Sequence, residues 1–395
     1  MISPGGVGYD INCGVRLLRS DLTEEDVRPR LDSLMDRLFR ALPSGVGSRR
    51  TDFVLRPADL NAVLRDGAVW VVGQGLGEDE DLEATESRGR LPGADPSAVS
   101  ERAKKRGRDQ LGTLGSGNHF AEVQIVDEVF DAGIASAFGL PAGAVTFMIH
   151  CGSRGLGYQV CDDSLEVMLD AAAKYHIKLP DRQLCCAPIR SPEGERYLGS
   201  MQAAANFAFG NRQMLAHRAR EVFAQVFGEH IAADMRTVYD VCHNIAKFEE
   251  HVFGQEGRMV CVHRKGATRA FPAGHPELPA RYRSTGQPVL VPGDMGRYSF
   301  VAVATAAGFD EALGSSCHGA GRMMSRTQSR KRMHGRDIIR EFRERGIQIR
   351  SDRLKTVAEE VPEAYKDVAD VIRVVAAAGI GRPVARLRPI GVVKG

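Results

Sequence analysis

The sequence has few aromatic residues and no long apolar run. Of its 395 residues, 6% are aromatic and one is tryptophan, and no apolar stretch approaches the roughly 20 residues that span a bilayer. The opening residues MISPGGVGYDINCG lack the basic and apolar regions of a signal peptide. We therefore expect a cytoplasmic protein, neither membrane-spanning nor secreted.

An excess of charge of one sign is also missing. Lys and Arg number 53 and Asp and Glu number 50, so the formal net charge is +3, too small for an overall basic surface to indicate nucleic-acid binding. The eight cysteines are scattered without the spacing of a disulfide framework, which is typical of reduced cytosolic thiols. Any basic or cysteine-dependent site must therefore be local.

No internal repeat and no Pro/Ser-rich linker divides the chain, so we expect one large domain over residues 1–395. Apolar residues at three- and four-residue steps predict a helix that begins near Thr23 and a long helix at Glu193–Phe227. Short apolar runs between glycine-rich turns predict strands at Phe120–Val126 and Val145–Ile149. This mixed order of elements favours an α+β fold.

Histidine, cysteine and acidic residues recur in or near glycine-rich or polar turns. The segments are GYDINCG (Asp10, Cys13), GSGNHFAE (Asn118, His119, Glu122), MIHCGSRGLG (His150), VCHNIAK (His243, Asn244), VHRKGATRAF (His263, Lys265, Arg269) and SSCHGAGR (His318, Arg322). Imidazole, thiolate and carboxylate ligands together suit Zn, Mn, Fe or Co, whereas Mg or Ca prefers oxygen ligands. One such histidine alone is more often a surface or core residue, but several similar segments together indicate a metal site.

Two of these segments also admit a phosphate-binding interpretation. In HCGSRGLG and CHGAGR, glycine lets backbone N–H groups approach phosphate oxygens and arginine adds a bidentate donor. Tight turns without a ligand explain the same spacing equally well. His318, between a cysteine and a Gly-Ala-Gly turn, is a candidate nucleophile, metal ligand or general acid/base.

Residues 66–118 are polar and glycine-rich, which predicts a surface excursion. Basic residues are dense in two runs, which either bind a polyanion or form solvated helix faces. The runs are Arg102, Lys104, Lys105, Arg106 and Arg108, and Arg326, Arg330, Lys331, Arg332, His334 and Arg336.

Taken together, GGVGYDINCG, GSGNHF, HRKGATRAFP, SSCHGAGR and the closing IGVVKG resemble the RNA-splicing ligase RtcB family over essentially the whole chain. The resemblance implies a single α+β domain with central β-sheets flanked by helices. It also implies an enzyme that joins RNA with a 3′-phosphate or 2′,3′-cyclic phosphate to RNA with a 5′-hydroxyl. GTP and two Mn2+ ions would be its cofactors, and an activating protein partner is an open question.

The family's motifs assign a role to each matching residue. His318, in CHGAG, would carry a covalent GMP. Cys13 would be shared by two metals, one also bound by Asp10 and His119 and the other by His150 and His243. The residues that would bind the nucleotide are Asn118, His119, Phe120, Ala121, Glu122, His243, Asn244, Pro292, Gly293, Asp294, Met295, Ser299, His318, Gly319, Ala320, Gly321 and Lys394.

Two features depart from the family pattern. Members normally have a substantial segment before GGVGYDINCG, and we expect that segment to be missing here. In PGDMG, Asp294 stands where serine is expected, which adds an acidic group beside the nucleotide.

Two other functions use the same residues. A two-metal phosphoesterase or nuclease would employ the metal ligands without a covalent nucleotide. A catalytically inactive RNA-binding protein would bind RNA in a salt-dependent way without turnover.

Overall fold

The computed structural model describes residues 1–332 and 335–395. The α-helices in these ranges are α1 (Pro4–Val7), α2 (Glu24–Val27), α3 (Leu31–Ala41), α4 (Pro57–Gly73), α5 (Asp79–Glu83), α6 (Glu101–Gly107), α7 (Ala132–Phe138), α8 (Arg154–Lys174), α9 (Pro192–Phe227), α10 (His230–Asp234), α11 (Ala306–Glu311), α12 (Arg326–Arg332), α13 (Gly335–Glu344), α14 (Leu354–Glu359) and α15 (Val368–Ala377). The strands are β1 (Gly14–Thr23), β2 (Phe120–Val129), β3 (Ala144–Cys151), β4 (Arg236–Cys242), β5 (Asn244–Phe253), β6 (Glu256–Lys265), β7 (Ala267–Arg269), β8 (Pro288–Val291), β9 (Ser299–Ala304), β10 (Ser315–Cys317), β11 (Gln348–Ser351) and β12 (Gly381–Lys394). Short 3-10 turns lie at Arg28–Arg30, Glu86–Gly89, Pro96–Ala98, Arg182–Leu184, Ala280–Tyr282 and Pro362–Ala364.

A large mixed sheet forms the centre of the molecule. Its strands follow the order β4-β1-β3-β2-β12-β9-β8, and β11 adds to β12. All neighbouring pairs along this order are antiparallel, whereas β11 runs parallel to β12. Two small sheets, β5-β6 and β7-β10, lie outside it.

Both faces of this sheet are buried. On one face, Leu18 and Phe147 pack with residues of α3 and α9, including Leu34 and Phe223. The opposite face carries Val15, Leu17 and Met148, and it packs against α7, α13 and α14. Helices therefore cover the sheet on two sides, and the α+β prediction of one mixed domain with central sheets flanked by helices is confirmed.

Helix α9 is the scaffold that links the sheet to a second layer of helices. Ser191 caps it by accepting a hydrogen bond from the Gly194 N–H, and Pro192 occupies its first turn. Its alanine-rich middle is fully buried against α4 and α8. The sequence predicts this helix almost to the residue, because its apolar stripe runs through ten turns.

Two local expectations are changed by the structure. The helix expected from Thr23 is broken, because Pro29 lies in a 3-10 turn between α2 and α3. Residues 66–118 are not a surface excursion: Leu82, Leu91 and Leu111 are buried in the core that α4, α8 and α9 share. In the second basic run, His334 lies outside the described residues. No helix in the described ranges is long and apolar enough to cross a membrane.

Candidate metal centre and adjoining pocket

The sheet brings four distant segments to one edge, which is formed by the starts of β1 and β2 and the ends of β3 and β4. Gly14, the first residue of β1, pairs with Cys151 at the end of β3 and with Cys242 at the end of β4. Phe120, the first residue of β2, pairs with His150. Because antiparallel neighbours place the start of one strand beside the end of the next, the residues at these strand ends meet. They are Cys13, His119, His150 and His243.

The side chains at this edge form two overlapping groups. The Cys13 Sγ atom lies 3.4 Å from His119 Nε2 and 3.3 Å from His150 Nε2. His119 Nε2 is 2.7 Å from Asp10 Oδ2, and His150 Nε2 is 3.2 Å from His243 Nε2. Within each group, Asp10–Cys13–His119 and Cys13–His150–His243, the ligand atoms lie within 4.8 Å of one another. Cys13 belongs to both groups, so the geometry suits two metals with a shared thiolate.

The donor set fits borderline divalent transition metals. Each group combines imidazole nitrogen with thiolate sulfur, and one adds a carboxylate oxygen. His119 Nδ1 lies 3.0 Å from the Leu114 carbonyl, and donation to that oxygen leaves Nε2 free to bind a metal. Burial and the neighbouring Asp10 raise the pKa of the Cys13 thiol to about 12, so metal binding must displace its proton.

The three histidines titrate differently. Burial and nearby cationic groups, His318 among them, lower the pKa of His150 and His243 well below the ordinary value. Burial also acts to lower the pKa of His119. The nearby groups Cys151, Cys13 and Asp10 outweigh this effect and raise the pKa of His119 well above its ordinary value. Neutral His150 and His243 keep a lone pair for a metal, whereas His119 must lose a proton to bind one.

A buried arginine holds the backbone on both sides of the metal centre. Arg212 of α9 donates from Nη1 to the Asn12 carbonyl at 2.7 Å and to the Cys151 carbonyl at 2.9 Å. Its charge is balanced by Asp240 of β4, which also pairs with buried Arg16. A Cβ at Gly14 would lie 2.9 Å from the Arg212 guanidinium. Glycine at that position therefore lets the guanidinium sit directly under residues 10–13, which we call the metal loop.

His318 connects the metal centre to a neighbouring pocket. It directly follows β10, and the centre of its ring is 4.6 Å from that of His243. Burial lowers the pKa of His318, opposed by a backbone contact with Gly266. The pocket has a volume of about 350 Å³. Its lining residues are Asn118, Phe120, His150, Pro292, Gly293, Asp294, Met295, His318, Gly319, Ala320, Gly321, Arg322, Arg326, Glu360, Tyr365 and Lys394.

Buried charges converge at one side of this pocket. Lys394, at the end of β12, is 2% exposed and lies 4.0 Å from Glu360 Oε2. Glu360 also accepts from Tyr365 and pairs with Arg322 at 3.1 Å. Sequence patterns do not single out Glu360 or Tyr365, because the stretch around them carries no motif and joins the pocket only through the fold.

Several predicted nucleotide residues lie behind the lining. Glu122 is buried beneath the pocket, where its carboxyl accepts from Gln124 at 2.8 Å. Burial raises the Glu122 pKa to about 8, although Gln124 and Lys394 oppose the shift. Ser299 accepts from the Gly293 N–H and from Gln124. These residues support the pocket wall from below.

Three further residues of the predicted nucleotide set, Ala121, Asn244 and Asp294, contact the core or the protein backbone. Ala121 packs into the core on the face of the sheet that α3 and α9 cover. Asn244 donates to the Asp10 carbonyl at 3.0 Å and accepts from Gly266, so it braces the metal loop. Asp294 accepts from the backbone N–H groups of Gly296 and Arg297. Its second carboxylate oxygen has no hydrogen-bond partner among the described residues and lies 3.5 Å from Arg297 Nε.

The two basic runs have different surroundings. Arg326 lines the pocket, and Arg330 pairs with Glu359 at 3.4 Å. In the other run, Lys104 pairs with Glu101, and Arg106 donates to Gln159 and lies over the Tyr158 ring. The run that begins at Arg326 therefore reaches the candidate site, whereas these three contacts of the run that begins at Arg102 are with its own helix and with α8.

Comparison with known proteins identifies close relatives over the whole chain. The family described as "tRNA-splicing ligase RtcB" matches residues 1–395. A protein of that name from Archaeoglobus fulgidus is 54% identical over 398 residues, which cover 100% of this chain and 82% of the relative. Those from Thermococcus kodakarensis and Pyrobaculum aerophilum are 53% and 50% identical, with the same coverage of both chains.

Proposed function

We infer that this chain, which belongs to the tRNA-splicing ligase RtcB family, is an RNA ligase. We also propose which RNA ends it joins and which cofactors it uses. It joins RNA that ends in a 3′-phosphate or a 2′,3′-cyclic phosphate to RNA that begins with a 5′-hydroxyl. GTP supplies the energy, and two Mn2+ ions are the metal cofactors. Residues 1–395 form the catalytic domain, and the free cysteines suit a reducing cytoplasm.

The two ligand groups that share Cys13 would hold the metals. Asp10, Cys13 and His119 bind one ion, and Cys13, His150 and His243 bind the other. Bound metals neutralise charge on the phosphate oxygens and so lower the barrier to attack at phosphorus. Imidazole and thiolate also bind zinc, so the choice of manganese rests on the family resemblance.

His318 is the proposed nucleophile. One of its ring nitrogens attacks the α-phosphorus of GTP, forms a P–N bond and releases pyrophosphate. The observation that carries this proposal is the position of His318, whose ring is next to His243 on one side and lines the pocket on the other. Burial lowers the pKa of this ring, which suits an imidazole that must offer a lone pair.

The pocket beside His318 would hold the guanine nucleotide. Asn118, the Pro292–Met295 turn, the His318–Gly321 turn and Lys394 surround it, with Phe120 as an apolar wall. Lys394 supplies a cation. Glu122, Ser299, His119, Ala121, His243 and Asn244 complete the proposed nucleotide set from behind the lining.

The remaining steps transfer the guanylyl group and then release it. Water first opens a cyclic phosphate to a 3′-phosphate. An oxygen of that phosphate attacks the α-phosphorus on His318, which breaks the P–N bond and forms an RNA–GMP phosphoanhydride. The 5′-hydroxyl then attacks the RNA 3′-phosphorus, its proton is lost, and GMP leaves. Positioning of the reacting ends provides much of the rate enhancement in such displacements.

Joining of two labelled RNA strands tests this proposal. One strand ends in a 3′-phosphate and the other begins with a 5′-hydroxyl, and the product is followed with and without GTP and MnCl2. We expect the wild type to join the strands only when both GTP and MnCl2 are present. The variant His318→Ala should not join them under any of these conditions. Metal-dependent RNA hydrolysis that needs neither GTP nor His318 would instead establish a two-metal phosphoesterase, and salt-dependent binding without turnover would establish an RNA-binding protein.

A further inference from the structure

A pocket on another part of the surface collects arginines that are far apart in the sequence. Arg37 and Arg40 come from α3, Arg49 and Arg50 from the segment that follows it, and Arg218 from α9. The pocket that they line has a volume of about 460 Å³. We call these five residues the arginine pocket.

The positive charge of the arginine pocket is only partly balanced. Two acids, Asp52 and Glu221, line it against five arginines, a surplus of three that equals the net charge of the entire chain. Both acids are already engaged, since Asp52 pairs with Arg50 and Arg218 and Glu221 pairs with Arg218. The acids therefore neutralise one part of the pocket and leave the other part cationic.

The open part belongs to α3 and Arg49. Within the described residues, neither Arg37 nor Arg40 has an ion-pair partner, and both are exposed. The Arg49 side chain is 71% exposed, and its one ion-pair partner among the described residues is Asp109, at 3.4 Å. Buried Arg50 is instead engaged with Asp52. Arg37, Arg40 and Arg49 therefore offer exposed guanidinium groups that suit a ligand with several anionic oxygens.

The arginine pocket is connected to the metal centre by a short series of contacts. Ser153 Oγ lies 3.5 Å from Asp10 Oδ1, and Arg154, the next residue, donates to Ser48 Oγ at 3.3 Å. Ser48 directly precedes Arg49 and Arg50. The arginine pocket is thus linked to the metal centre through Ser153, Arg154 and Ser48.

We propose that the arginine pocket binds backbone phosphates of the RNA substrate, several nucleotides from the end that is joined. The proposal rests on the proposed ligase function, because that function brings an RNA end to the metal centre. Arginine side chains that contact phosphates give affinity without base readout. The pocket would thus favour long RNA strands of any sequence.

The test compares RNA binding by a triple variant and a matched control. The variant Arg37→Gln/Arg40→Gln/Arg49→Gln removes three exposed charges of the pocket. The control Arg258→Gln/Arg373→Gln/Arg382→Gln removes three exposed charges that are not part of the pocket. Two 3′-phosphorylated ligands are titrated over a range of salt concentrations, a single strand of about 20 nucleotides and a dinucleotide, which is too short to span both places.

We expect the triple variant to bind the long strand roughly tenfold more weakly at low salt. The slope of log affinity against log salt should also fall by about 2, because each lost phosphate contact on a single strand contributes about 0.7. Binding of the dinucleotide and the behaviour of the control should be unchanged. Wild-type affinity and slope in the triple variant would overturn the proposal.

The formation of a GMP adduct with GTP and MnCl2 alone separates this proposal from the proposed function. It requires no RNA, so we expect it to be equal in the wild type and the triple variant. If the wild type forms no adduct, the ligase proposal fails, while the RNA titration still decides whether the pocket binds phosphates.

Discussion

The metal centre and the pocket beside His318 share one edge of the sheet, yet they are built in different ways. Cys13, His119 and His243 each adjoin the end of a paired strand, and His150 lies within one; all four are buried. The pocket shares Phe120, His150 and Lys394 with the strands and takes its other walls mainly from the turns at 292–295 and 318–322 and from Glu360 and Tyr365. Strand pairing thus positions the candidate metal ligands, whereas turns and polar contacts between distant residues shape much of the pocket.

This difference predicts which functions fail together. A change at the metal centre should impair metal binding and, through it, every later step. A change in the pocket should weaken nucleotide binding and leave the metals in place. Variants at the two places therefore separate metal binding from nucleotide binding.

The largest effect is expected for Cys13→Ser. Because Cys13 belongs to both ligand groups, its loss should weaken Mn2+ binding at each site by more than about 100-fold, beyond what a residue that only orients a ligand contributes. Isothermal titration with MnCl2 measures this effect. Cys161→Ser, at a buried cysteine of α8, is the control and should bind as the wild type does; two intact Mn2+ sites in Cys13→Ser would contradict the shared thiolate.

Arg212→Met should destabilise the fold beneath the metal centre. The change leaves Asp240 buried with only Arg16 as its cationic partner, and it leaves the Asn12 and Cys151 carbonyls without the guanidinium. We expect the free energy of unfolding in urea to fall by about 3 kcal/mol. Exposed Arg373→Gln should change it little, and equal stability of the two variants would show that the buried network is dispensable.

We expect Glu122 to make GTP binding pH-dependent and Glu122→Gln to remove that dependence. With a pKa of about 8, the carboxyl is mostly protonated at pH 6 and ionised at pH 9, and the ionised form would accept N–H donors of guanine better. The GTP affinity of the wild type should rise with pH and level off above about pH 8, whereas the GTP affinity of the variant should not change with pH.

This pH profile is measured in a His318→Ala background, so that no adduct forms. At pH 6 the two proteins should bind GTP similarly, because a protonated carboxyl and an amide are alike in charge. At pH 9 the glutamine variant should be about tenfold weaker. A wild-type profile that matches the variant throughout would exclude Glu122 from nucleotide recognition.

The smallest effect is expected for Asp294→Ser. A serine hydroxyl can accept from the backbone N–H groups of Gly296 and Arg297 as the carboxylate does. We therefore expect the turn to persist and GTP affinity to change by less than about threefold. A much larger gain in affinity would mean that the carboxylate repels the nucleotide.

The sequence predicts the long elements and the ends of strands well. The periodicity of α9 and the short apolar runs at β2 and β3 are local signals, and each matches an element of the structure. The strands predicted at Phe120–Val126 and Val145–Ile149 place His119 just before one and His150 just after the other, which agrees with the pairing of Phe120 with His150. The roles of these residues in binding metal and nucleotide stay predictions.

Interactions between distant segments are the part that sequence patterns did not reveal. Arg212 reads as an interruption in an apolar stripe, and only the fold places it between Asp240 and the metal loop. Residues 66–118 look polar, but their isolated leucines enter a core that helices far along the chain complete. The arginine pocket likewise has no counterpart in any local basic run.

Intact-mass spectrometry decides whether His318 carries a covalent GMP. The protein is incubated with GTP and MnCl2 and compared with His318→Ala and with a version extended upstream of Met1. We expect a mass increase of one GMP, labile to acid, that depends on Mn2+ and is absent from His318→Ala. A GMP adduct that survives the loss of His318, or no adduct on either wild-type form, would contradict the assignment of His318 as the nucleophile.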